Sequence, residues 1–281
     1  MSRKKKPHKV NIGALVLTIV SAAVFVASLL FIVKYLIDTR HNAQIYEEFK
    51  QEMSENTDET ASEMQMQQEA EMDVGNETLP EEEAVEIPVD FEGLKQENAD
   101  IYAWITIPGT VIDYPVLQHP TDDTFYLNHN LDGSAGYPGC IYTESLNSKD
   151  FSDFNTVIYG HNMKDGTMFK GLHQYADEAF FDSHREVIIY TPEYEYHYTV
   201  FAAYASDDSH ILLDNNFLLY QQRVEYLNRI LNLTDLSAHI AKDVSVQENN
   251  RILTLSTCIA SKPDQRYLVQ AVQTECLVVK R

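Results

Sequence analysis

The chain is 281 residues long, 44% hydrophobic and 23% charged, which suits one substantial core with appendages rather than two full domains. Its net charge of −22, with no basic patch beyond the N-terminus, argues against nucleic acid as a partner. Three cysteines, Cys140, Cys258 and Cys276, are too few for a disulfide framework, and the odd number leaves at least one thiol free.

The first element is a run of 22 residues, Ile12 to Val33, without charge or proline. As a helix rising about 1.5 Å per residue it spans the roughly 30 Å of a bilayer's hydrocarbon. Arg3, Lys4, Lys5, Lys6 and Lys9 precede it, so the positive-inside bias puts the N-terminus in the cytoplasm and the remainder outside. A cleaved signal peptide has an apolar centre of only about 7–15 residues, followed by a cleavage site. Here the run is longer, continues through Tyr35, Leu36 and Ile37, and has no such site after it. Residues 1–37 therefore read as a cytoplasmic tail and an uncleaved single-pass anchor.

Residues 38–88 hold 16 acids against Arg40 and Lys50. Ala43 to Lys50 could continue the membrane helix. Ser54 to Glu86 has too little apolar surface to offset the entropy of ordering, and reads as a disordered acidic spacer held extended by self-repulsion.

From residue 89 to 281 the texture is that of a mostly β domain. A short helix is expected over Phe91 to Asp100. Strands are expected at Tyr102–Ile107, Val111–Val116, Cys140–Thr143, Thr156–Tyr159, Val187–Thr191, Tyr194–Tyr204, Arg251–Thr257, Tyr267–Gln273 and Glu275–Val279. A longer helix is expected over Phe217 to Leu231, where Phe217, Tyr220, Val224, Leu227 and Leu231 recur at three- and four-residue steps. Many short strands with few helices indicate a closed or nearly closed β-barrel.

Within Leu253-Thr254-Leu255-Ser256-Thr257-Cys258, alternation sets Leu253, Leu255 and Thr257 on one face and Thr254, Ser256 and Cys258 on the other. A seven-residue loop, Ile259 to Gln265, is expected before the next strand opens with Arg266. Antiparallel pairing would bring thiol and guanidinium to one rim, where a cation favours thiolate and can bind a developing oxyanion. Among ten histidines, His161 ends an apolar strand behind Gly160, whose freedom to turn would present the imidazole at the rim. His119, His129, His197 and His210 have weaker contexts. Cys140 and Cys276, in strand-like runs, read as small buried hydrophobes. No spacing resembles a zinc site or a phosphate-cradling loop.

Tyr159-Gly160-His161-Asn162-Met163-Lys164-Asp165-Gly166-Thr167-Met168-Phe169 and Thr254-Leu255-Ser256-Thr257-Cys258, followed by Arg266, resemble the His, Cys and Arg motifs of sortases. The run from Ala103 to Val116, with Trp104-Ile105-Thr106-Ile107-Pro108-Gly109, is similar to the first strands of class B sortases. So are Thr124-Phe125-Tyr126-Leu127-Asn128 and Gly139-Cys140-Ile141-Tyr142. The helix before the Cys strand sits where class B members insert one.

The resemblance implies a closed barrel of about eight strands, with an N-terminal helix and a long helix before the Cys strand, behind a transmembrane helix. It implies a membrane-anchored cysteine transpeptidase on a Gram-positive type surface, with Cys258 as nucleophile, His161 as acid/base and Arg266 beside the oxyanion. Leu127 and Ser256 would line the substrate groove, with Ile211 contributing from another loop. Expected partners are secreted proteins bearing a C-terminal sorting signal and an amine acceptor such as a peptidoglycan precursor. No cofactor or metal, calcium included, is expected. The family's acidic residue after the Cys is replaced by Ile259-Ala260, and Ser206 to Leu212 is short and acidic at Asp207-Asp208. A thiol hydrolase using the same residues, and a non-catalytic tethered binding module, stand as rival readings.

Overall fold

The computed structural model describes residues 16–37 and 84–280, with Arg40, Gln44 and Glu47 between them. The basic tail, most of the expected spacer and Arg281 lie outside the described residues. The first helix, α1 (Val16–Ile37), has the length and apolar composition to cross a membrane. Arg40, Gln44 and Glu47 are also helical, near where the sequence allows this helix to continue.

Helix α2 (Phe91–Glu97) is capped by Asp90, whose carboxylate accepts from the N–H groups of Glu92 and Gly93. It ends three residues earlier than expected. Strands β1 (Ile101–Thr106), β2 (Asp113–Leu117), β3 (Ile141–Tyr142) and β4 (Asn155–Tyr159) follow, with a 3-10 turn at Phe125–Leu127. A second 3-10 helix (Phe169–Ala176) and helix α3 (Glu178–Ser183) lead to β5 (Glu186–Tyr190) and the long β6 (Tyr194–Asp207). The chain continues through α4 (Ile211–Asp214), α5 (Tyr220–Leu231), β7 (His239–Ile240), β8 (Ile252–Ile259) and β9 (Lys262–Val278).

The strands run in the order β5-β1-β2-β3-β4-β8-β9-β6-β7, and a β5–β6 pairing joins the ends into an eight-stranded barrel. The short β7 takes the stretch of β6 beyond β5, at Ala202 and Ala203. Two pairs are parallel, β2–β3 and β4–β8. The rest are antiparallel. Closure leaves few open edges, and the strands carry a core containing Ile105, Val116, Ile158, Phe201, Leu255 and Val269. A smaller cluster seats α2 on the sheet through Phe91, Leu94 and the fully buried Trp104. The indole N–H of Trp104 stays paired by donating to Asp113 Oδ1 at 2.7 Å.

Several local expectations change in three dimensions. The strands expected at Tyr267–Gln273 and Glu275–Val279 are one 17-residue strand, because Thr274 bulges while pairing with β6 continues on both sides of it. The seven-residue loop does not exist. β8 runs on to Ile259, Ala260 and Ser261 make the turn with Ser261 at φ 63°, and Arg266 lies inside β9 instead of opening it. Helix α5 starts at Tyr220 and buries Tyr226, Leu227 and Ile230, while Tyr220 is exposed. β8 is buried on both faces from Ile252 to Thr257, since a covered barrel strand has no solvent side. Cys276 is exposed, contrary to its apolar setting in sequence.

Candidate active site

Cys258 is the penultimate residue of β8 and is exposed. The ladder to β9 changes register there: Cys258 pairs with Arg266, and the next pair is Ile259 with Lys262. Pro263, Asp264 and Gln265 are therefore bulged out, which suits a proline that cannot donate to a ladder. Arg266 Nη1 donates to the carbonyls of Pro263 (2.8 Å) and Gln265 (3.0 Å) in that bulge. Directly paired residues project to the same face of a sheet, so thiol and guanidinium share one side.

His161 follows β4, whose parallel ladder with β8 reaches Tyr159↔Ser256, and one more bond runs from the Gly160 N–H to Ser256 O at 3.1 Å. Gly160 serves a different purpose from the turn expected of it. Its φ is not positive; instead a Cβ there would lie 2.5 Å from Ile141 Cδ1 and 2.6 Å from Phe169 Cγ. The glycine allows that close packing, which delivers the imidazole beside the end of β8. His161 Nε2 lies 2.6 Å from the Leu127 carbonyl. A carbonyl only accepts, so Nε2–H donates in this contact and Nδ1 is the ring nitrogen left to exchange a proton. The Tyr137 ring sits against the imidazole, with centroids 5.2 Å apart.

Cys258, His161, Arg266, Leu127, Ser256 and Ile211 all line one cleft of about 280 Å³. The acidic segment noted in the sequence also lines the cleft, at Asp207 to His210, together with three residues that sequence reasoning did not select: Tyr142, Glu144 and Tyr159. Glu144 Oε2 lies 2.9 Å from His210 Nε2, joining the segment that follows β3 to the loop before α4. Burial raises the Glu144 carboxyl above its ordinary value, and His210 pulls it the other way. The rings of Tyr142 and Tyr159 stack at 5.5 Å, and burial raises both hydroxyls, so they remain neutral hydrogen-bonding groups. Behind the cleft, Asn162 and His173 both reach the Cys258 carbonyl. Nothing in the sequence marked His173 or Glu144, because their partners lie 85 and 66 positions away.

A thiol, a proton-exchanging imidazole and a permanent cation at one exposed cleft are what acyl transfer through a thioester requires. A domain model described as the sortase domain matches residues 105–274, more than half of the chain, and the chain belongs to the sortase family of cysteine transpeptidases. It is 33% identical to sortase B of Listeria monocytogenes over 63% of its length and 70% of that protein. It is 36% identical to sortase B of Staphylococcus aureus over 60% of its length and 67% of that protein. Among solved structures it resembles a Staphylococcus aureus sortase B-substrate complex (TM-score 0.63, 27% identity, 85% of this chain and 99% of that one). It also resembles Clostridium perfringens sortase B (TM-score 0.60, 30% identity, 66% and 100%). Within the family the chain is of class B.

Proposed function

We propose that this transpeptidase cleaves a C-terminal sorting signal after Thr and joins the freed carboxyl to an amine acceptor at the cell surface. The observation that carries this reading is the meeting of Cys258, His161 and Arg266 at one cleft. The Cys258 thiolate attacks the Thr carbonyl carbon, and Arg266 with nearby backbone N–H groups holds the oxyanion. As the tetrahedral species collapses, the C–N bond breaks and His161 gives its proton to the departing amine, leaving a thioester. The acceptor amine then attacks the thioester, loses a proton to His161 and expels the thiolate. Because Leu127 O holds Nε2–H, Nδ1 is the nitrogen that exchanges protons. Leu127, Ser256 and Ile211 line the groove for the signal.

The acceptor is a peptidoglycan precursor amine or an equivalent primary amine. Residues 1–37 tether the enzyme in the membrane with the N-terminus inside, residues 38–88 space it outward, and 89–281 form the catalytic unit. Tethering concentrates enzyme, emerging substrate and membrane-bound acceptor at one surface.

The test is cleavage of Thr-containing signal peptides with and without added amines, followed by mass spectrometry. Cys258→Ala should abolish both cleavage and ligation with the fold intact, and retained activity ends the thiol assignment. His161→Ala and Arg266→Ala should each cost on the order of 10²-fold in kcat/KM. Amine-independent release alone would make the enzyme a hydrolase instead.

A further inference from the structure

The last bond of the parallel β4–β8 ladder runs from Gly160 N–H to Ser256 O. The next carbonyl along that edge of β8 belongs to Cys258, and among the described residues no strand lies opposite it. After His161 the chain turns back on itself: Asn162 bridges to Met168, and the Phe169 N–H donates to His161 O. Two side chains take the missing strand's place. Asn162 Nδ2 donates to Cys258 O at 2.8 Å, and His173 Nε2 lies 3.0 Å from the same oxygen. A carbonyl oxygen has two lone pairs and only accepts, so it takes both donors and His173 carries its proton on Nε2. The two nitrogens also lie 3.0 Å from each other, so amide, imidazole and carbonyl form one compact three-way contact. His173 comes from the 3-10 helix Phe169–Ala176, and its ring packs 5.1 Å from that of Tyr267, the neighbour of Arg266.

The place of this arrangement matters. On its other edge Cys258 sits at the bulge where three β9 residues leave the ladder, so regular pairing with β9 ends there too. The backbone that carries the nucleophile has thus lost β4 on one edge and meets a register shift with β9 on the other, at the residue where its direction counts most.

We propose that Asn162 and His173 form a clamp on the Cys258–Ile259 peptide and act as positioning residues for the thiol. They touch no reacting atom. By fixing the peptide plane they fix the Cα–Cβ direction of Cys258 toward the cleft, and misplacement by about 1 Å can cost on the order of 10²-fold in rate. The inference rests on the reading of Cys258 as nucleophile.

The experiment uses the full-length protein in detergent and the fluorogenic Thr-containing peptide that the unaltered enzyme cleaves fastest. Asn162→Ala and His173→Leu should each lower kcat about tenfold or more, with KM within about twofold. His173→Gln keeps an amide donor at the reach of Nε2 and should recover most of kcat. His173→Asn is equally polar but too short, and should not. This Gln–Asn pair preserves the test if His173→Leu folds poorly. Normal kcat in Asn162→Ala and His173→Leu, equal rates for the Gln and Asn variants, or a loss carried by KM would each overturn the clamp. An active Cys258→Ala would instead sink the underlying reading, so the two failures are distinguishable.

Discussion

At the scale of single residues, Cys258 and Arg266 owe their meeting to a register pair across one hairpin, while His161 arrives from a strand about a hundred positions earlier. The imidazole's aim depends on two contacts, the Leu127 carbonyl and the Tyr137 ring, and on Gly160 just before it. The space around Gly160 is filled by Ile141 and Phe169, both fully buried, so neither can give way cheaply. Gly160→Ala should cost about 1–3 kcal/mol in stability, as an overpacked core position does. It should also lower turnover by displacing His161. Calorimetry and peptide cleavage on the same preparation check both, and an unchanged melting point would remove the steric account of this glycine.

At the scale of elements, the face of β8 that ends in Cys258 begins under helix α5. There Thr254, Asn155 and Gln270 surround the hydroxyl of Tyr226: Gln270 Nε2 donates to it at 2.7 Å and to Thr254 Oγ1 at 2.9 Å. Thr254 in turn donates to Asn155 Oδ1 at 2.8 Å, and the Tyr204 hydroxyl donates to Gln270 Oε1. Gln270 is fully buried, and such networks are costly when only partly satisfied. Gln270→Leu should destabilise the protein by about 1–3 kcal/mol through its orphaned partners, lowering the melting temperature by roughly 5 °C. A shift below about 1 °C in thermal denaturation would mean that α5 does not depend on this network. The helix was legible in sequence from its apolar steps, and its buried face in part: Leu227 is buried and Leu231 packs on the core. Phe217 and Tyr220 fit the helical period, yet Phe217 packs from the preceding turn against Tyr226, and Tyr220 faces solvent near Glu248.

At the scale of the molecule, two histidines tie stability to pH in opposite senses. His173 is held below its ordinary value of 6.5 by burial. A depressed histidine resists charging in the folded state, so its stability is lost as pH falls from 6.5 through the lower folded value. Burial also pushes His197 down, but the carboxylates of Glu186 (3.0 Å) and Glu195 (2.8 Å) outweigh it, and the net shift is upward. That contribution is present below 6.5 and is lost as pH rises through the higher folded value. His197→Gln should therefore destabilise the protein more at pH near 5.5 than near 8, by less than about 1 kcal/mol because the pair is partly solvated. Denaturation at the two pH values checks this, and an equal loss at both would show that the ion pairs contribute nothing. His197 lies on the β5–β6 pairing that closes the barrel, away from the cleft, so peptide turnover should be unaffected.

What the sequence by itself determined was whatever depends on neighbours along the chain. A long uncharged run suffices for a helix long and apolar enough to cross a membrane, alternation and turn residues mark strands, and consecutive strands bring Cys258 across from Arg266. Even there its reach was short: proline and aspartate looked like a long loop, although the backbone could absorb them as a bulge. The tertiary structure alone decided the parallel pairing of β4 with β8, the Glu144–His210 contact and the two side chains on the Cys258 carbonyl. It also decided that β8 is covered on both faces while Cys276 is exposed. Those outcomes join segments far apart in sequence, and such pairings are selected by how the whole barrel closes and packs, a cooperative property that no local pattern of residues encodes.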